Sequence, residues 1–202
     1  MPRSRRVVIP NCALHVVNRG NDRRCVFPQD VDYASFLALL REGRERYPIK
    51  IYGYNLIHTH FHLVIGAADR VALSAYMHFV QRSHACDVRA SARSIGGGHV
   101  FQRRYWSAVI EGDRYFLNAL RYVEANALRA ALVKRAEDWP WGSLWERQTG
   151  ERDLLCPLPI RLPESWTTIV NVPQQAADLE AIRTPLKRGR PSRTVDLRKP
   201  KK

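Results

Sequence analysis

The chain has 202 residues, 45% apolar and 26% charged, and 33 Lys+Arg against 19 Asp+Glu leave a formal net charge of +14. That length and balance give one globular domain, or one with an appendage, with enough apolar material for a core. No run of 18 apolar residues reads as a membrane span, and the positive surplus points to a polyanionic partner, nucleic acid or an anionic membrane surface.

The opening MPRSRRVVIPNCALHVV is basic, but Pro10 and Asn11 interrupt its apolar stretch, so it lacks the continuous segment of a secretory signal. Four cysteines, at 12, 25, 86 and 156, form no C-x-x-C pair. Neither a zinc ribbon nor a disulfide scaffold is indicated, and the expected setting is the reducing cytoplasm. There is no internal repeat of 20–50 residues.

Leu14 to Asn18 reads as a strand and Arg19 to Asp22 as the following turn. A helix capped by Asp30 or Asp32 follows, with Phe36, Leu37, Leu39 and Leu40 at helical spacing and Pro48 barring its continuation. Residues 49–57 and 60–66 read as two strands joined tightly through His58-Thr59. Residues 71–89 read as a helix, with Leu73, Tyr76, Met77, Val80 and His84 along one stripe. A loop at 94–98 ends in three glycines. Tyr105 to Ile110 is a fourth strand, and Asp113 caps a helix from about 114 to 131.

The order β-α-β-β-α-β-α predicts an α+β fold. Its first six elements form a ferredoxin-like split β-α-β antiparallel sheet with helices on one face, and a C-terminal helix is added. Many functions use that sheet, so it identifies none.

The main domain is expected over 1–150. Residues 151–182, with Pro157, Pro159 and Pro163, read as a Pro-rich linker and short helical segment. Residues 183–202 hold nine basic residues, three prolines and one acid, a net +8 of the total +14. They read as a basic flexible tail able to neutralise phosphates, with Lys187, Arg188 and Arg190 as candidate DNA contacts. Arg188-Gly189-Arg190-Pro191 is also similar to the minor-groove core of an AT-hook.

Two constellations carry chemistry. In His60-Phe61-His62, strand alternation turns both imidazoles to one face, about 6.6 Å apart along the strand, and Phe61 to the other. Such a pair suits a divalent metal; histidines on an open sheet face can also be plain half-solvated polar residues. His58 continues the alternation and makes His58/His60 a rival pair.

On the last helix Tyr122 and Asn126 stand at i and i+4 and share a face. The apolar stripe Phe116, Leu120, Val123, Ala127 and Ala131 is centred roughly 100° away, so Tyr122 lies beside the buried stripe. Tyr115, two turns earlier on nearly the same line, competes with it.

Taken together, NRGNDRRCVF (18–27), YNLIHTHFHLVI (54–65), FQRRYWSAVI (101–110), YFLNALRYVEANALRAALV (115–133) and DWPWGSLW (138–145) resemble the REP-associated tyrosine transposases of the HUH-type single-tyrosine superfamily. The similarity spans most of residues 13–191. It implies that His60 and His62 are metal ligands, that Asn126 completes the site, and that Tyr122 is the nucleophile on the catalytic helix. It further implies Mg2+ or Mn2+, single-stranded or hairpin DNA as substrate, a 5′-phosphotyrosine intermediate, and a bacterial nucleoid-associated cytoplasmic setting.

Two departures stand out. The family's usual Met-Pro-Asn before the histidines is Ile57-His58-Thr59 here, and its Asn-Pro on the helix is Asn126-Ala127.

A free tyrosine titrates near pH 10, so only about 0.1% is phenolate at pH 7 and attack on a phosphodiester needs assistance. Arg23, Arg24, Arg103, Arg104, Arg121 and Arg129 are candidate phosphate contacts. Tyr105, Trp106 and the Trp139/Trp141 pair are candidate base-stacking groups. A non-catalytic hairpin- or single-strand-binding protein and a water-using metal nuclease are the rival functions. A membrane role lacks a strongly basic amphipathic helix. The sequence leaves monomer and homodimer open.

Overall fold

Four short alternating segments build one antiparallel sheet. β1 (Ala13–Arg19), β2 (Ile49–Ile57), β3 (His60–Ala67) and β4 (Trp106–Ile110) pair in the order β2-β3-β1-β4. The computed structural model describes residues 8–9, 12–90 and 98–183. α1 (Asp30–Arg46) connects β1 to β2, and α2 (Arg70–Ala90) connects β3 to β4. This is the split β-α-β arrangement that the element order predicts.

One face is a dry core. Leu14, Val16, Tyr54, Leu56, Phe61, Leu63 and Ile65 from the strands are buried with Tyr33, Phe36 and Leu40 of α1 and Leu73, Tyr76, Met77 and Val80 of α2. Phe61 and Phe36 stand 5.0 Å apart. Each such side chain stabilises the fold by about 1.5–3 kcal/mol. The N-cap of α1 precedes both expected aspartates: it is Gln29, and Asp32 closes the capping box by accepting the Gln29 backbone N–H at 2.9 Å.

The added helix α3 (Asp113–Glu124) covers the opposite face. It starts after Gly112, whose φ of 81° is open to glycine. Phe116, Ala119, Leu120 and Val123 pack with Ala13, Val64 and Ile110. Gly53, just after a bulge in β2, permits the approach; a Cβ there would stand 2.4 Å from Leu120 Cδ1.

The helix expected to run unbroken to 131 breaks at Ala125 (ψ 3°) and resumes as α4 (Asn126–Arg129). Local propensity gives no reason to stop there. Side chains entering the backbone ladder do: Asn55 of β2 donates to the Glu124 carbonyl at 3.3 Å, and Arg129 donates to the Tyr122 carbonyl at 2.7 Å. Ala131 falls outside the helix at φ 55°.

The stretch expected as a linker is strapped to the body, so packing continues past residue 150. After α5 (Ser143–Thr149), the Glu146 carboxylate accepts the Leu154 and Leu155 N–H groups at 2.9 and 3.0 Å and the Tyr54 hydroxyl at 2.7 Å. The Cys156 N–H donates to the Ile51 carbonyl at 2.7 Å. Leu154 is buried in the first core; Leu158, Ile160 and Leu162, interleaved with the prolines, pack against the second. Proline suits an extended chain lying on a surface, which is why the same composition reads as a linker. α6 (Trp166–Asn171) buries Trp166 and Val170, and α7 (Ala176–Arg183) follows. Residues 184–202, including Lys187, Arg188 and Arg190, lie outside the described residues. No described helix is long and apolar enough to cross a membrane.

Candidate active site

The face under α3 carries its polar groups at one end. Ala13, His15, Val17 and Arg19 of β1 alternate toward it, and β3 supplies His60 and His62 beside them, with Val17 opposite His62 and Arg19 opposite His60. The His60 and His62 rings are 5.0 Å apart. Tyr122, 9% exposed, reaches this group from α3 with its ring edge-on to His62 at 5.6 Å and to His15 at 5.8 Å.

The imidazoles are held by specific partners. His62 Nδ1 and His15 Nε2 share a hydrogen bond of 2.9 Å, and His60 Nδ1 lies 3.0 Å from Thr59 Oγ1. Burial, then the positive charges of Arg19 and Arg129, lowers the His60 pKa to about 4. Burial, aided by Arg129, takes His15 to about 3; burial and the neighbouring imidazoles and arginines hold His62 well below the usual histidine value. At neutral pH all three rings are uncharged, the state a metal ligand requires.

Arg129 turns back over Tyr122. Its guanidinium carbon sits 3.9 Å from the ring centroid while Nη1 holds the Tyr122 carbonyl. Asn126, 6% exposed, follows the break, and its Nδ2 has no hydrogen bond among the described residues. Glu124 fixes the end of α3. Its buried carboxylate accepts from Ser143 Oγ at 2.8 Å, Arg147 Nε at 2.9 Å and Trp166 Nε1 at 2.7 Å.

His58 points elsewhere. It bonds the Tyr33 hydroxyl at 2.9 Å and meets the Trp139 edge, so the cluster is built on His60/His62 rather than His58/His60. Tyr115 lines a shallow depression with Glu111, Asn118 and Asp178.

The expected DNA contacts divide. Arg23, Arg24, Arg103 and Arg104 are exposed on loops at the His60 end of the sheet, where Gly20 N–H bonds the Thr59 carbonyl and Gln102 N–H the Arg19 carbonyl. Two expectations need correction. Tyr105 is 7% exposed and packed in the first core, so it offers no face to a base; the exposed ring is its neighbour Trp106, at 41%. Arg121 spends its guanidinium on the Val172 and Pro173 carbonyls, at 2.7 and 3.4 Å, tying α3 to the segment after α6. Trp139 Nε1 donates to the Leu56 carbonyl and Trp141 stacks on Tyr33 at 5.0 Å, so both serve the β2 edge. Sequence reasoning missed His15 and Arg19. Their signal was the alternation of β1, which sends Leu14 and Val16 to the core and His15 and Arg19 to the other face.

The site is thus an alternate-residue histidine pair on one face of a ferredoxin-like sheet, met on that face by a helix tyrosine. Residues 8–126 match the family model described as Transposase IS200 like, and the chain belongs to that family. A Haemophilus influenzae protein bearing the provisional name REP-associated tyrosine transposase is 24% identical over 144 residues, 67% of this chain and 77% of that one. The fold matches a solved structure of a REP-associated tyrosine transposase bound to a REP hairpin, with a TM-score of 0.59 and 16% identity, over 81% of this chain and 96% of the other.

Proposed function

We propose that this transposase-family chain cleaves and rejoins single-stranded DNA next to a hairpin, with Tyr122 as the nucleophile. The observation that carries the reading is the meeting of Tyr122 with the His60/His62 pair on one face, its ring 5.6 Å from His62. In the reaction, Tyr122 Oη bonds to phosphorus as the P–O3′ bond breaks. The phenol gives up one proton and the departing 3′-oxygen takes one. A 5′-phosphotyrosine link and a 3′-hydroxyl result, and attack by a 3′-hydroxyl on the link restores a phosphodiester without ATP.

The donor set fits a divalent cation. His62 is buried and His60 half-buried, both neutral, each with Nδ1 engaged and Nε2 left as the donor atom. The family resemblance supplies the third protein ligand, which would be Oδ1 of the buried Asn126 amide. A bound Mg2+ or Mn2+ would polarise the scissile phosphate. Arg129 holds the tyrosine ring and brings positive charge beside it, and Arg19 does the same at His60. Arg23, Arg24, Arg103 and Arg104 supply a basic rim for the DNA backbone, and Trp106 supplies an open ring for an unpaired base. A relative bound to a hairpin supports DNA of that shape as the partner. The outlying basic residues Lys187, Arg188 and Arg190 would add phosphate contacts.

The test is a denaturing-gel assay for a protein–DNA adduct, using labelled single-stranded hairpin oligonucleotides from the flanks of the protein's own gene, with Mg2+ or Mn2+. The expected outcome is a metal-dependent adduct that Tyr122→Phe abolishes and Tyr115→Phe retains. Loss only with Tyr115→Phe moves the nucleophile two turns back. Tight hairpin binding with no adduct supports the binding-protein reading instead.

A further inference from the structure

His15 lies outside the histidine motif, yet it hydrogen-bonds one of the motif's own rings. Its Nε2 is 2.9 Å from His62 Nδ1, the two ring planes lie within 15°, and the residues are 3% and 6% exposed. At that burial, water does not substitute for a missing partner.

We propose that His15 is a positioning residue for His62: its Nε2 accepts the His62 Nδ1–H and so keeps His62 Nε2 as a lone-pair donor. The proposal rests on the reading of His60 and His62 as metal ligands. A neutral imidazole carries a single N–H, so ligation through Nε2 requires the proton on Nδ1. A buried N–H needs an acceptor, and the acceptor at hydrogen-bond distance is His15. Thr59 Oγ1, 3.0 Å from His60 Nδ1, does the same for the other ligand.

The ring of His15 is itself fixed, edge-on to Trp106 at 5.6 Å and to Tyr122 at 5.8 Å. With Nε2 accepting from His62, the one proton of His15 stands on Nδ1, which is buried without a hydrogen-bond partner among the described residues; that cost is one the metal at His62 would offset, and His15 orients the site from behind instead of joining it. The β1–β3 register makes this possible. It sets Val17 opposite His62, which puts His15 on the same face one alternation away.

The experiment compares the intact metal-free chain with His15→Phe and His15→Gln. Phe keeps the ring volume and removes the acceptor; Gln restores an acceptor close to the position of Nε2. Mn2+ affinity by calorimetry is the primary readout, with thermal midpoints measured alongside. His15→Phe is expected to weaken Mn2+ binding about 10- to 100-fold, and His15→Gln to recover most of that loss. Wild-type affinity in His15→Phe, or equal losses in both variants, overturns the role of His15 and leaves the metal pair standing. No Mn2+ binding by the wild-type chain, alone or with hairpin DNA, overturns the metal reading and this proposal with it.

Discussion

The two faces of the sheet are built from the same strands by opposite rules. On the α1–α2 side, inward residues are almost all apolar, and the buried polar groups tie one element to the next. Asn18 bonds Gln81 at 2.7 Å, and His84 donates Nε2–H to the Val26 carbonyl at 2.8 Å. On the α3 side, three imidazoles, a phenol and a guanidinium gather at one end, and His15 Nδ1 has no hydrogen-bond partner among the described residues. Burying polar groups in this way costs stability. One side of the sheet carries cohesion and the other carries the polar cluster proposed to react, so neighbouring residues of one strand have different surroundings.

Phe61 and His62 give the sharpest test. Phe61→Ala empties a fully buried site and is expected to lower unfolding stability by about 3–5 kcal/mol, while the protein that remains folded still forms the adduct. His62→Ala is expected to abolish the adduct at a smaller cost in stability. Urea denaturation read beside the adduct assay separates the two, and equal behaviour of both variants would erase the division between the faces.

Acid should attack the reactive side first. In the unfolded chain the histidines titrate near 6.5, whereas burial holds the folded values of His60 and His15 at about 4 and 3. Between those limits the unfolded state binds more protons, so the contribution is complete above pH 6.5 and is lost progressively as the pH falls toward 3. The thermal midpoint is expected to drop over that window, and His15→Gln is expected to flatten part of the drop.

The smallest effect concerns Ala131, exposed at φ 55° just after α4. Ala131→Gly relieves a left-handed alanine and is expected to add about 1 kcal/mol of stability without changing the reaction. The thermal midpoint with unaltered adduct yield measures it.

Much of this arrangement was readable in the residues. The strands, both core helices and the tight His58-Thr59 connection follow from period-2 and period-3.6 patterns, and alternation alone sends Phe61 away from His60 and His62. The rest depends on contacts between distant segments. The break at Ala125 comes from Asn55, 70 residues earlier in the chain. The docking of 151–171 depends on Glu146 and Ile51, which no proline count reveals. Tyr105, just before β4, packs into the first core, whereas Trp106, the first residue of β4, is exposed.

The match to the family ends at residue 126, inside the reacting end of the molecule, yet the Glu124 carboxylate is gripped by Ser143, Arg147 and Trp166. The tyrosine helix therefore takes its pose from residues that lie beyond the matched segment. A graft of residues 8–126 alone would carry the buried Glu124 carboxyl group without its three donors.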